Sequence, residues 1–301
     1  MRITINCENR FNCMNNKRKK INYDSAWTKK LESLRNRMLA KIAIFRLIRS
    51  GDRDSIILAN TLKSTLKNDL IPEEKVWIDK IEQLRENLNA STTEISLVDY
   101  GAGKSDEHRT QQDMYAGKTV TTTVGEVCRF GSKSPFWSFL LFNLVREFKP
   151  AVCIELGTCL GISTSYQAVA LSLNKAGKIV TIEGAKTLAK YAEQNIETIG
   201  LENVRVVAGR FQDVLDEVLN ESRPVDFAFI DGHHDEKATM KYFDQIIPFL
   251  ANQGVVLVFD DISWSPGMKK AWKKIKADER VKISVDLRKV GICLMKKKIE
   301  E

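Results

Sequence analysis

The sequence predicts an α/β fold: a doubly wound, mostly parallel sheet of seven strands, preceded by an α-helical appendage. Three observations carry this. From Val152 onward, short runs rich in Val and Ile alternate with amphipathic stretches of helical period. The first of these runs opens directly into a turn punctuated by Gly157 and Gly161. The first 90 or so residues, by contrast, show only the three- and four-residue spacing of helices.

The chain has 301 residues, 43% of them hydrophobic, enough for one large domain or a domain with an appendage. Residues up to about Lys20 are polar, asparagine-rich and basic, and read as a flexible arm. From Ser25 on, Trp27, Leu31, Leu34, Met38, Ile42, Phe45 and Ile48 recur at helical spacing, and Gly51 closes the run. A second helix is expected over 54–67. A third runs from Pro72 to about Leu88, with Val76, Trp77, Ile81, Leu84 and Leu88 on one face. Residues 1–95 therefore form a basic arm and helical appendage, expected to cap the main domain or to join two copies of the chain. Residues 96–134 are rich in Gly, Thr, Asp and Lys and have little periodicity. They predict a loop or lid connector with one short strand near 119–124, and Tyr115 and Arg129 are its substrate-side candidates.

Residues 135–301 make up the main domain. A helix over 135–148 precedes strands at 152–155, 179–183, 204–208, 225–230, 255–260, 282–286 and 291–296. Helices fill the gaps at 163–173, 187–199, 211–219, 236–250 and 266–277. Five strands, each followed by a helix, imply parallel pairing, and the closing pair without a helix between them implies an antiparallel edge.

Composition narrows the function classes. No apolar run approaches the roughly 18 residues of a membrane span, and the N-terminus lacks the apolar core of a secretory signal, so a cytoplasmic protein is expected. Six cysteines without a CxxC pair read as reduced, packed thiols. The net charge of +8 is concentrated in the first 50 residues, which hold 13 Lys and Arg against three acidic residues; the remainder carries −2. The run Lys17-Arg18-Lys19-Lys20 reads as a solvated tail, with contact to nucleic-acid phosphates as the alternative. Gly101-Ala102-Gly103-Lys104-Ser105 and Gly117-Lys118-Thr119 end like phosphate-binding loops but lack the leading glycine and the following apolar helix, which excludes a nucleotide triphosphatase.

The first chemical motif is Glu155, Gly157, Thr158, Gly161 and Ser163 at the turn from strand to helix. Glycine lets the backbone approach a ligand, and the helix N-terminus suits a carboxylate such as the methionine end of S-adenosylmethionine (SAM). The spacing ExGxxxG is not the GxGxxG of a dinucleotide site. Glu183, followed by Gly184, ends the second strand where a carboxylate accepts hydrogen bonds from ribose hydroxyls. Gly209, Arg210 and Phe211 follow the third strand and border the expected adenine position. The fourth strand ends in Asp231-Gly232-His233-His234-Asp235 and the fifth in Asp260-Asp261. Asp231, Asp260 and Asp261 would repel one another if uncompensated, and a hard cation such as magnesium relieves that. His233 or His234 can then take a proton from an acceptor hydroxyl.

From about Tyr100 to Lys298 the chain resembles class I SAM-dependent methyltransferases, on the pieces IELGTCLGIST, TIEGA, FIDGHHDEKATMKYF and LVFDDISWSPGMKKAW. The resemblance implies a Rossmann-like sheet in the order 3-2-1-4-5-7-6 with the last strand antiparallel. It implies that Glu155, Gly157, Gly161 and Ser163 surround the methionine moiety, that Glu183 holds the ribose and that Arg210 and Phe211 lie near the adenine, with Asp231 contacting both cofactor and metal. It is also similar to the metal-dependent catechol and sugar O-methyltransferases, whose magnesium ligands match Asp231, Asp260 and Asp261. In the sugar-modifying type an aspartate stands where this chain has His233, which leaves the base between His233 and His234. The expectation is an O-methyltransferase of a small-molecule hydroxyl. The alternatives are a methyltransferase of RNA or protein that docks through the basic arm, and a SAM-binding module without turnover.

Overall fold

The computed structural model describes residues 3–5, 26–101 and 109–297. Three helices lead: α1 (Ala26–Ser50), α2 (Arg53–Lys67) and α3 (Pro72–Ala90). The Asp52 carboxylate caps α2 by accepting from the Ser55 amide at 3.1 Å. Pro72 starts α3, and Glu74 reaches back to the Ile71 amide at 3.2 Å. On α1 the inward face is Ala40, Ala43, Ile44 and Leu47. The expected stripe is corrected there: Met38, Phe45 and Ile48 are 47%, 61% and 45% exposed. Val76 on α3 also faces outward. Small residues let α1 lie close on α2, so Ala40 and Ala43, which weigh little in an apolar count, define the contact.

The connector is more ordered than its composition suggests. Strand β2 (Glu94–Asp99) pairs antiparallel with β3 (Lys118–Thr123), enclosing the one-and-a-half-turn α4 (Gln111–Ala116), and α5 (Val124–Gly131) follows. Ile95 and Leu97 are buried on alternate positions of β2, the period of a half-buried strand. Thr110 and Asp113 cap α4 reciprocally, and Thr123 caps α5.

Helix α6 (Pro135–Phe148) then introduces the main sheet: β4 (Val152–Leu156), β5 (Lys178–Glu183), β6 (Val204–Ala208), β7 (Phe227–Ile230), β8 (Val256–Phe259), β9 (Val281–Asp286) and β10 (Gly291–Met295). Between them run α7 (Ile162–Leu173), α8 (Lys186–Ile199), α9 (Phe211–Ser222), α10 (Glu236–Ile246) and α11 (Pro266–Ala277). Pro248 sits in a short 3-10 turn that ends α10 earlier than expected. The strand order β9-β10-β8-β7-β4-β5-β6 is the order expected, with β10 antiparallel to both β8 and β9. An eighth strand, β1 (Ile3–Ile5), adds in parallel to the β9 edge, so the flexible-arm reading is corrected at those three residues. Their Ile-Thr-Ile sequence suits an edge pairing. The rest of the arm, with Lys17 to Lys20, Cys7 and Cys13, lies outside the described residues, as do residues 102–108 of the first phosphate-loop decoy.

Every residue of β4, β7 and β8 is buried, as a strand covered on both faces requires. One apolar layer joins α6, α7 and α8 with α1, α2 and α3; the other joins α9, α10 and α11. No helix among the described residues is long and apolar enough to cross a membrane.

Candidate active site

The carboxyl ends of β4, β5, β7 and β8 meet at one edge of the sheet, where the strand order reverses between β4 and β7 and a crevice forms. Gly157 leaves β4 with φ +103°, and a Cβ there would stand 2.0 Å from the Asp231 carbonyl oxygen, so only glycine lets the ends of β4 and β7 approach this closely. The Gly157 amide donates to the Ile182 carbonyl at 3.0 Å, and the Thr158 hydroxyl meets Thr181 at 2.6 Å. Gly161 then caps α7, and Ser163 lies in its first turn, where free amides and the helix dipole favour an anion.

Glu155 is fully buried beneath this turn. Thr164 and Thr181 donate to its Oε2, the latter at 2.7 Å, and Gln167 donates to its Oε1 at 2.8 Å. Burial raises its pKa even against those hydrogen bonds. Its oxygens are taken by the protein, so Glu155 braces the turn from inside.

Glu183 faces the crevice from the end of β5. It accepts from the Cys159 and Ala185 amides at 2.8 and 2.9 Å. Cys159 takes the left-handed conformation at φ +52° that aims its amide there. Burial, with Asp99 and Glu155 adding repulsion, pushes the Glu183 pKa up to about 7. Beside it lies a side chain that the sequence did not single out. The Tyr100 ring covers Gly184, where a Cβ would stand 2.9 Å from Cδ2. Tyr100 was hidden in the stretch of low periodicity, and only its place at the end of β2 brings it to the crevice.

The turn after β6 divides. The Arg210 guanidinium is held by Asp213 at 2.6 and 3.1 Å and donates to the Tyr115 carbonyl at 3.2 Å, tying α4 across this edge. The Phe211 ring is buried over Gly232 and stands edge-on to His233 and Tyr242, with centroids 5.5 and 5.6 Å away. Phe211 is thus a packed side chain, and Gly209 and the Arg210 backbone remain to border the crevice. Arg129 is tied to the Asn89 carbonyl at the end of α3.

The two histidines have separate surroundings. His233 is buried, with Nδ1 2.7 Å from the Tyr242 hydroxyl. His234 turns the other way: its Nε2 is 3.6 Å from Asp231 Oδ1 and 4.0 Å from Asp261 Oδ2. Its ring centroid lies 6.4 Å from that of Trp264, whose side chain is 48% exposed. Burial lowers the pKa of both histidines. Asp231, His234 and Asp260 bring one ligand atom each within 4.8 Å of one another. Asp261 instead has its Oδ1 3.9 Å from Lys289 Nζ.

The carboxylates are not uncompensated. Lys133, from the link between α5 and α6, places Nζ 3.0 Å from Asp231 Oδ2 and donates to Asp260 Oδ2. With one oxygen each of Asp231 and Asp260 taken by this ammonium, the residues as arranged do not fit a magnesium ion, although Asp260 Oδ1 is buried without a partner among the described residues. No motif marks Lys133. Its only signal was the missing positive charge opposite three acids.

Residues 154–262 match a family model described as a methyltransferase domain. No curated protein matches the sequence. Among solved structures, the chain is similar to the O-methyltransferase from Bacillus cereus in complex with SAH, at 26% identity over 56% of this chain and 89% of that one, with a TM-score of 0.48. It is also similar to the O-methyltransferase TomG from Streptomyces achromogenes in complex with SAM, at 22% identity over 55% and 82%, TM-score 0.47. The SAH-bound methyltransferase PaMTH1 of Podospora anserina shares 17% identity over 55% and 80%, TM-score 0.48. The matched segment, about a third of the chain, spans the glycine turn, Glu183 and all three aspartates on a sheet of the expected order, and is similar to a methyltransferase domain.

Proposed function

We propose that the acceptor is a hydroxyl group of a small molecule and that His234 takes its proton as the methyl group is transferred. The observation that carries this reading is the position of His234 Nε2 beside Asp231 and Asp261, next to the exposed Trp264. A neutral imidazole backed by carboxylates accepts a proton and is stabilised as it charges. His233, enclosed by Phe211 and Tyr242, is left with a packing part.

In this reading the backbone of Gly157, Thr158 and Gly161 with the first turn of α7 receives the methionine carboxylate. Glu183 accepts from the ribose hydroxyls, and Tyr100, Gly184 and Gly209 line the adenosine path. Displacement on an activated methyl group needs alignment and a nucleophile stripped of water, so positioning carries most of the rate. The hairpin of β2 and β3 with α4 is the lid; the link from Arg210 to Tyr115 and the Thr187 hydroxyl donating to the Ser96 carbonyl at 3.0 Å support that part. Residues 1–95 act as a cap. Pairing of two chains through α1 would use Met38, Phe45 and Ile48, and sedimentation tests it.

The experiment is methyl transfer from labelled SAM to a panel of hydroxylated sugars and phenols. His234→Ala should lower kcat about 10²–10⁴-fold with SAM affinity kept, whereas His233→Phe should remain active. Equal activity in His234→Ala and wild type would refute the base. Transfer only to RNA, abolished by deleting residues 1–20, would refute the acceptor class, and SAM binding without transfer to any acceptor would favour a non-catalytic module.

A further inference from the structure

Asp231, Asp260 and Asp261 gather three negative charges at the ends of β7 and β8, and the cation that answers them comes from the chain itself. The Lys133 side chain is only 9% exposed, and its ammonium lies between Asp231 and Asp260. Lys289 answers Asp261 from the loop before β10. The segment that delivers Lys133 is fixed from behind by the helical appendage. Arg85 of α3, held by Glu82 at 2.9 Å, donates through Nη1 to the Lys133 carbonyl at 2.6 Å, and the Tyr166 hydroxyl of α7 donates to Glu82 at 2.8 Å. The Lys133 ammonium is thus enclosed by carboxylates, with Asp231 Oδ2 3.0 Å away and Asp260 Oδ2 in contact. A magnesium ion needs carboxylate oxygens at about 2.0–2.1 Å in octahedral array. Lys133 already holds one oxygen each of Asp231 and Asp260, so a divalent ion and this ammonium compete for the same two carboxylates.

We propose that Lys133 is the resident cation of this active site: a positioning residue that fixes the Asp231 and Asp260 carboxylates in place of a divalent metal ion, so that methyl transfer by this chain needs no metal. The inference rests on the methyl-transfer reading above and departs from the metal-dependent O-methyltransferases that the chain resembles. His234 keeps its proton-accepting position because Asp231, its neighbour at 3.6 Å, is held by Lys133.

The test titrates Mn²⁺, followed by electron paramagnetic resonance, into the full-length protein, with SAM binding measured separately by calorimetry. Wild type should show no saturable Mn²⁺ site, and its turnover should survive EDTA. Lys133→Met should acquire one Mn²⁺ per chain, bound at least about tenfold more tightly than by wild type, since two buried carboxylates then lack a counter-charge and Asp260 Oδ1 is free to coordinate. Lys133→Arg, which keeps the charge, should acquire none. A stoichiometric Mn²⁺ site in wild type that disappears in Asp260→Asn overturns the proposal, and so does a folded Lys133→Met protein that takes up no Mn²⁺. Should Lys133→Met fail to fold, the wild-type titration alone decides. Failure of wild type to bind SAM would sink the methyl-transfer reading while the Mn²⁺ result still reports on Lys133.

Discussion

At the scale of single residues, Glu183 sets ligand binding against the stability of the ligand-free chain. Its carboxylate has two backbone donors, yet burial and the nearby Asp99 and Glu155 lift its pKa from 4.5 to about 7. The folded state therefore binds this proton more tightly than the unfolded chain does. The stability it contributes is complete below pH 4.5 and is lost as pH rises through about 7. Glu183→Gln should accordingly raise the Tm of the ligand-free protein at pH 8 and leave it unchanged near pH 4. It should also weaken SAM binding about tenfold or more, because a charged acceptor is lost. Melting curves at the two pH values with calorimetry at pH 8 check both halves; a lower Tm at pH 8 would refute the account. Gly157 makes a simpler case. Gly157→Ala adds a Cβ where the Asp231 carbonyl already stands and forces a strained φ, so a loss of SAM binding with a Tm lowered by several degrees is expected. Such residues were readable because their chemistry is local: a glycine turn and an acid at a strand end declare themselves in sequence. Lys133 was not readable, because its partners lie far along the chain, Asp260 being 127 residues away.

Among the elements, α3 matters to the site from a distance, through the Lys133 carbonyl. Arg85 is buried on α3 and spans Glu82, the Lys133 carbonyl and the Ser138 hydroxyl, the last at 3.4 Å. Arg85→Met keeps much of the apolar contact but removes the charged donor from the Lys133 carbonyl and the Glu82 carboxylate, which keep only the Ser138 and Tyr166 hydroxyls. It should cost about 1–3 kcal/mol of stability, read by urea denaturation, and lower kcat more than SAM affinity. No change in either would show that the appendage does not position Lys133. The same scale explains which elements the sequence hid. The strands of the main sheet stood out because burial on both faces demands unbroken apolar runs such as Val255 to Phe259. Of the hairpin, β3 was expected as the short strand near 119–124, whereas β2 was not, because its only buried residues, Ile95 and Leu97, make too short an alternation to stand out without its partner. Helix α1 was found, but Met38, Phe45 and Ile48 of its expected stripe face outward, whereas close packing on α2 selected Ala40 and Ala43.

Across the whole molecule, one apolar layer binds the appendage to the main sheet. Ala43, Leu47, Leu58, Leu62, Ile81 and Leu88 lie in the same cluster as Phe142, Val169 and Ile179, and the Asn143 amide donates to Thr65 at 3.0 Å between α6 and α2. Glu74 of α3 pairs with Arg146 of α6 at 3.0 Å, and Lys282 of β9 reaches Asp52 and Asp54 at 2.6 and 3.0 Å. The appendage thus covers one face of the sheet within a shared apolar cluster, and part-buried ion pairs fasten it further. A unit that shares its core cannot unfold separately without exposing Phe142 and its neighbours to water. Calorimetry of the full chain should therefore give one transition whose van't Hoff and calorimetric enthalpies agree. Removing residues 1–95 should yield a protein that binds hydrophobic dyes and loses its SAM site, since the deletion strips a helical layer and releases the segment bearing Lys133. Two resolved transitions, or a truncated protein that still melts sharply and binds SAM with wild-type affinity, would mean that the helices are a separate domain leaning on the sheet.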